Sequence, residues 1–235
     1  MSHSKNVAAL DKVLGYCTGY GEKYNPGQLK LHISTMNALL ANANDALREE
    51  KLARNTYNNV TNTREITFKE IPKLASSIIH FLAASGVSEQ TLSDARLYFR
   101  KTLGRTKDRE AVPSEEISNV KKRKSGMLNY ISIADNFERL VTAVSTDASY
   151  LPNEEGLKVT ELTSRIALLK KLNKDAMDAR VAWSNGLISR NQLLYTNNAA
   201  ICSTVSAVKK YVRAVFGLNS PEYAQIKNIR VIKNN

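Results

Sequence analysis

Cysteine is scarce in this chain: Cys17 and Cys202 are the two present in 235 residues. They stand far apart with no paired spacing, so they read as free thiols, with a structural disulfide between them as the lesser alternative, and no CxxC metal or redox motif is present. Unpaired thiols imply a reducing compartment, and a cytoplasmic location is expected. Histidine is limited to His3, His32 and His80, none with a second ligand at metal-binding spacing. His32 and His80 fall near apolar stripes and are expected to be packing residues. No HExxH, Glu-x-x-His pair, EF-hand loop or GxxxxGK[ST] loop occurs, which removes zincin, di-iron, calcium and phosphate-loop chemistry by motif. Long hydrophobic runs are missing too. No stretch nears eighteen apolar residues, so no membrane-spanning helix is expected. Asp11 and Lys12 interrupt the apolar run over 7–16, so it does not read as a secretory signal.

What is present is a chain that repeats itself. Tyr24-Asn25-Pro26 is followed by Leu29-Lys30-Leu31, Ala38-Leu39-Leu40 and Asp45-Ala46-Leu47. Tyr150-Leu151-Pro152 is followed by Leu157-Lys158-Val159, Ala167-Leu168-Leu169 and Asp175-Ala176-Met177. Each series closes on a matching signal, FLAASGVS over 81–88 and YVRAVFGLNS over 211–220. Such similarity points to two like units packed side by side. Between opening and closing signals the apolar positions step by three and four. Leu29, Ile33, Met36, Leu40, Ala43 and Leu47 lead on to Ile71, Leu74, Ile78 and Leu82. In the second copy Val159, Leu162, Ile166, Leu169 and Leu172 lead on to Val205, Val208, Val212 and Val215. This is the pattern of a helix with one buried face.

Polar residues interrupt both stripes near the middle, Glu50 and Arg64 in one and Arg180 and Arg190 in the other. Each copy is therefore either one long helix or a hairpin turning near Asn58-Asn59 or Ser184-Asn185-Gly186. The stripe keeps its phase across both middles, which favours long helices. Pro72 predicts a kink, because it removes a backbone bond inside a helix at a cost of about 3 kcal/mol. Asn25-Pro26 predicts a capped helix start. Gly86 and Gly217 predict helix ends, and Ser88 and Ser220 predict new starts. Gly15, Gly19 and Gly21 are read as a flexible lead-in. Residues 91–103 and 128–148 are amphipathic, and the segment between them is read as a loop with a helix from Ser114.

The expected fold is all-α: an elongated up-down-up helical bundle with two long, internally duplicated helices, the copies running parallel. It is read as one domain over 1–235, with repeat halves 24–103 and 150–223, a basic connection over 104–126 and a short tail over 224–235.

The net charge of +12 is partly concentrated. Nine basic residues stand against four acids in 100–124, and the tail adds three more bases. Arg100, Lys101, Arg105, Lys121, Lys122, Arg123, Lys124, Lys227, Arg230 and Lys233 are the candidate contacts for an anion or a nucleic acid. Glu115-Glu116 and Glu154-Glu155 are adjacent pairs that cannot face each other on a helix, so neither is an acid/base pair. No catalytic residue, cofactor or metal is nominated. The chain is read as a non-enzymatic structural or interaction protein, with itself or another protein as partner. Nucleic-acid binding through the basic segment and tail is the alternative.

The phrases YNPGQLKL (24–31), GVSEQTLSDAR (86–96), DNFERLV (135–141), YLPNEEGLKV (150–159) and YVRAVFGLNSPEYAQIKNI (211–229) resemble an uncharacterised family of bacterial helical proteins of about this length. The resemblance covers nearly the whole chain. It implies the all-helical architecture and carries over no functional assignment.

Overall fold

The apolar spacing that marks 33–47 continues through Asn58-Asn59 without a turn residue, and in the computed structural model it forms a single helix to Lys69. The structure describes residues 2–104 and 130–232. Within them the elements are helices α1 (Ser2–Gly19), α2 (Ile33–Lys69), α3 (Ile71–Ala84), α4 (Glu89–Thr102), α5 (Tyr130–Ser145), α6 (Val159–Asn191), α7 (Ile201–Phe216) and α8 (Pro221–Lys227). Short 3-10 turns accompany them and no strand occurs among the described residues. The protein is an all-α helical bundle. None of these helices is long and apolar enough to cross a membrane. Apart from Gly104, the basic connection lies outside the described residues, and so does the helix expected from Ser114.

The described residues fall into two compact units. Unit 1 takes 2–57 and 179–232, and unit 2 takes 58–104 and 130–178. In unit 1, α1, α7 and α8 surround the start of α2 and the end of α6, and close on Leu10, Val13, Cys17, Met36, Ala43, Leu194, Ile201, Val205, Val208, Val212 and Ile226. In unit 2, α3, α4 and α5 pack with the other portions of α2 and α6 around Ile71, Ala75, Ile78, Leu82, Ala95, Phe137, Leu140, Val144, Leu162 and Leu169. Burying a Leu, Ile, Val or Phe side chain contributes about 1.5–3 kcal/mol, so each unit has its own apolar core.

The two units share local geometry. Buried Tyr24 donates its hydroxyl hydrogen to the Leu31 carbonyl at 2.9 Å, and buried Tyr150 donates to Leu157 at the same distance. Tyr24 meets Tyr211 edge-on at 5.3 Å, and Tyr150 meets Phe81 edge-on at 5.3 Å. After each tyrosine comes a 3-10 turn, Leu29–Leu31 or Glu155–Leu157, and then a long helix. Buried residues recur at similar separations: Met36 and Leu162, and Ala43 and Leu169, at 126 residues; Ala75 and Val205, and Leu82 and Val212, at 130. The correspondence reaches upstream of both tyrosines, where Leu10, Val13 and Cys17 of α1 match Phe137, Leu140 and Val144 of α5.

Several sequence expectations need correction. Asn25-Pro26 does not start a helix. The Tyr24 hydroxyl and the His32 ring, which contacts the Pro26 carbonyl at 3.0 Å, hold a looped lead-in, and α2 begins at Ile33. The segment holding Gly15 and Gly19 is helical, because the buried stripe of α1 outweighs the roughly 1 kcal/mol cost of each glycine; only Gly21 has positive φ, +57°. The copies are not parallel in unit 1: Glu50 meets Gly186 and Arg190 while Tyr57 meets Trp183, so α2 and α6 run antiparallel there. His80 is exposed. Pro72 sits in the first turn of α3 just after an interruption at Glu70, where its missing N–H is not needed.

Candidate functional site

Charge divides unequally between the units. Among described residues, unit 1 holds fourteen Lys and Arg against six Asp and Glu, whereas unit 2 holds twelve of each. Of the sequence candidates, Lys227 at the end of α8 and Arg230 just beyond it belong to unit 1, both exposed. Arg100 and Lys101 occupy the last turn of α4 in unit 2, where Lys101 lies 5.8 Å from the Tyr98 ring. Arg105, Lys121, Lys122, Arg123, Lys124 and Lys233 lie outside the described residues.

The structure gathers cations around Arg230 that are distant from it in sequence. A cleft of about 410 Å³ lies between α1 and the chain following α8, and every charged residue lining it is basic: Lys5, Lys12 and Arg230. Lys5 and Lys12 are two turns apart on α1, so they share a face. Ala8 and Ala9 form the floor between them. Sequence reading missed both lysines because α1 itself was missed; once α1 is helical, the seven-residue spacing identifies them. A second cleft of about 500 Å³ runs along α7 past Lys30 and Lys210, again with no acid in its lining.

The segment carrying Arg230 is fastened from inside the unit. Asn6 is fully buried on α1. Its amide donates to the Ile232 carbonyl and accepts from the Ile232 N–H, both at 2.8 Å, much as a neighbouring strand would. The same amide approaches the Cys202 sulfur at 3.6 Å. The Lys209 ammonium donates to the carbonyls of Lys227 (3.2 Å) and Ile229. Burial, and secondarily the Arg230 charge, pull the Lys209 pKa below its ordinary value. These bonds satisfy backbone groups that no helix or sheet satisfies.

A second polar cluster lies where α2 crosses α6. Glu50 accepts the Trp183 indole N–H at 3.0 Å and pairs with Arg190 at 3.4 Å. Both charged side chains are nearly enclosed, at 14% and 10% exposure. Arg190 also donates through Nε and Nη2 to Asn191 Oδ1. Tyr57 stacks on Trp183 at 5.4 Å. Nearby, His3 shares a 2.7 Å hydrogen bond with the Tyr195 hydroxyl, and burial first, then Arg190, lower its pKa. Each of these side chains has a partner, and together they tie α2 to α6 within unit 1. No group of three or more His, Cys, Asp or Glu is placed to hold a metal among the described residues.

Comparison with protein-family models, curated proteins and solved structures returned no match.

Proposed function

We propose that this chain is a non-enzymatic interaction protein, an internally duplicated helical scaffold in which one unit is specialised to hold an anionic partner. The observation that carries this reading is that, among the described residues, unit 1 holds fourteen basic residues against six acidic ones while unit 2 holds twelve of each. An uncompensated field of this kind steers anions and is retained at some cost in self-repulsion. Self-association or docking of an acidic protein is one form of that function. Light scattering with the full chain at micromolar concentration tests it, and a strictly monomeric particle that captures no acidic protein counts against it.

Nucleic acid is the second reading, favoured by the clefts whose only charged linings are Lys and Arg. Phosphate contacts dominate such binding, and the association constant falls steeply with salt. Titration of DNA and RNA near 50 mM salt is the direct test; absence of binding there removes this reading.

A further inference from the structure

The chain beyond α8 does not drift from the bundle. Two reciprocal hydrogen bonds from buried Asn6 and two from Lys209 hold it in place. The consequence is electrostatically unfavourable, because the segment brings Arg230 to a cleft that already contains Lys5 and Lys12 and no acid. Like charges gathered without a counter-charge are offset when an anion occupies the space between them. Lys5 and Lys12 lie about 10 Å apart along α1 at 1.5 Å per residue, a span that covers about three nucleotides at 3.4 Å per step.

We infer that the cleft between α1 and the segment after α8 is a phosphate-backbone site for nucleic acid, formed by Lys5, Lys12 and Arg230 and assembled by Asn6. This rests on the nucleic-acid reading above and locates it. Other anionic partners fit less well. A protein interface draws its affinity from buried aromatic and apolar anchors, whereas this cleft is lined by no aromatic residue and by one large apolar one, Ile229, beside Ala8 and Ala9. A membrane-surface helix needs a free apolar face, but that face of α1 is buried at Leu10, Val13 and Cys17. Contacts through Lys and Arg to phosphate position a nucleic acid without reading its bases, so affinity is expected to be indifferent to sequence.

The test uses the full chain and a labelled duplex, with fluorescence anisotropy followed across 50–200 mM salt. Each phosphate contact adds about 0.9 to the slope of log K against log salt. The variant K5Q/K12Q/R230Q is therefore expected to flatten the slope by about 2.7 and to weaken binding about 500-fold at 0.1 M salt. N6A leaves the charge unchanged and removes the two bonds to Ile232, while Lys209 still holds Lys227 and Ile229, so it should flatten the slope by less than the roughly 0.9 of one full contact. The three charged residues are at the surface, so their variant keeps the fold even if N6A does not, and circular dichroism checks both. K30Q/K210Q, from the cleft along α7, serves as the comparison. If the wild-type chain binds and K30Q/K210Q weakens it as much as the triple variant does, the assigned site is wrong while the nucleic-acid reading stands. If the wild-type chain binds no duplex at 50 mM salt, that reading fails and takes the site with it. Equal binding to phosphatidylserine vesicles or polyglutamate would also overturn the assignment.

Discussion

Replacing Glu50 by alanine strands the Arg190 guanidinium between α2 and α6. Both side chains are nearly enclosed, and removing one partner of a buried pair costs about 3–5 kcal/mol because the remaining charge loses its compensation. Here the lower end applies, since Asn191 Oδ1 still accepts two of the arginine N–H groups. The indole N–H of Trp183 loses its acceptor as well, adding about 1 kcal/mol. Glu50→Gln retains an acceptor for the indole while losing the charge, so it should be milder than Glu50→Ala by about that amount. Replacing both partners with apolar residues, as in E50L/R190M, removes the charge problem and should recover most of the loss.

The assay is urea unfolding followed by tryptophan fluorescence. Trp183 is the sole tryptophan and hydrogen-bonds to Glu50, so the signal reports on unit 1 at the perturbed position. With a slope of about 2–3 kcal/mol per molar urea, a loss of 3 kcal/mol moves the midpoint down by about 1 M or more. A shift worth under about 1 kcal/mol for Glu50→Ala would show that the pair is open to water. A double variant no better than the sum of the single ones would show that the two charges do not depend on each other.

Further expectations concern the same unit. A Cβ placed at Gly186 would sit 3.3 Å from the Glu50 Cα; Gly186→Ala should be near neutral as helix propensity offsets crowding, whereas Gly186→Leu should cost about 1–3 kcal/mol by overpacking. Burial pushes the Cys17 thiol up to about 11, so at pH 8 Ellman's reagent should label it only after unfolding, and rapid labelling of the native chain would contradict its placement. The folded-state pKa of His3 lies below its unfolded value of 6.5. The folded chain therefore binds fewer protons, and this contribution to stability, full above pH 6.5, is lost as pH falls through that value and the lower folded one. Urea midpoints measured from pH 8 to 5 should fall more for the wild-type chain than for His3→Gln; parallel curves would refute the assignment.

Features governed by local chemistry were the readable ones. Ser88 and Ser220 cap α4 and α8 by accepting the Thr91 and Tyr223 N–H groups, and Gly86 and Gly217 take positive φ, because a cap or a left-handed residue depends on its immediate neighbours. The constant phase of the stripes carried α2 and α6 through their polar middles, but each copy is two helices rather than the one expected, the first broken at Glu70. The interruption after α6 was not readable: a π-helical turn at Gln192–Thr196 and a kink through Asn197 break the helix without proline or glycine. The pairing of Tyr24 with Tyr211, and of Tyr150 with Phe81, escaped sequence reading because it links the opening of one copy to the closing of the other. The meeting of Arg230 with lysines of α1 escaped it for a related reason. Density of charge along 100–124 says nothing about convergence in space, whereas Lys5, Lys12 and Arg230 converge from two distant stretches of chain.

Corresponding positions of the two copies then show where the units differ. Arg64 and Arg190 occupy matching places on α2 and α6. Arg190 faces Glu50, but the residue matching Glu50 is Ala176, buried in unit 2. Arg64 instead lies 4.3 Å from the Tyr130 ring, a cation–π contact in place of an ion pair. Asn6, which fastens the basic segment of unit 1, is matched on α5 by Ile133, which packs against the apolar core of unit 2. An isoleucine offers no amide of the kind by which Asn6 holds the segment after α8 in unit 1. At these paired positions the buried apolar contacts of the two units are alike, and it is the polar partners that differ: an ion pair against a cation–π contact, and an amide against an isoleucine.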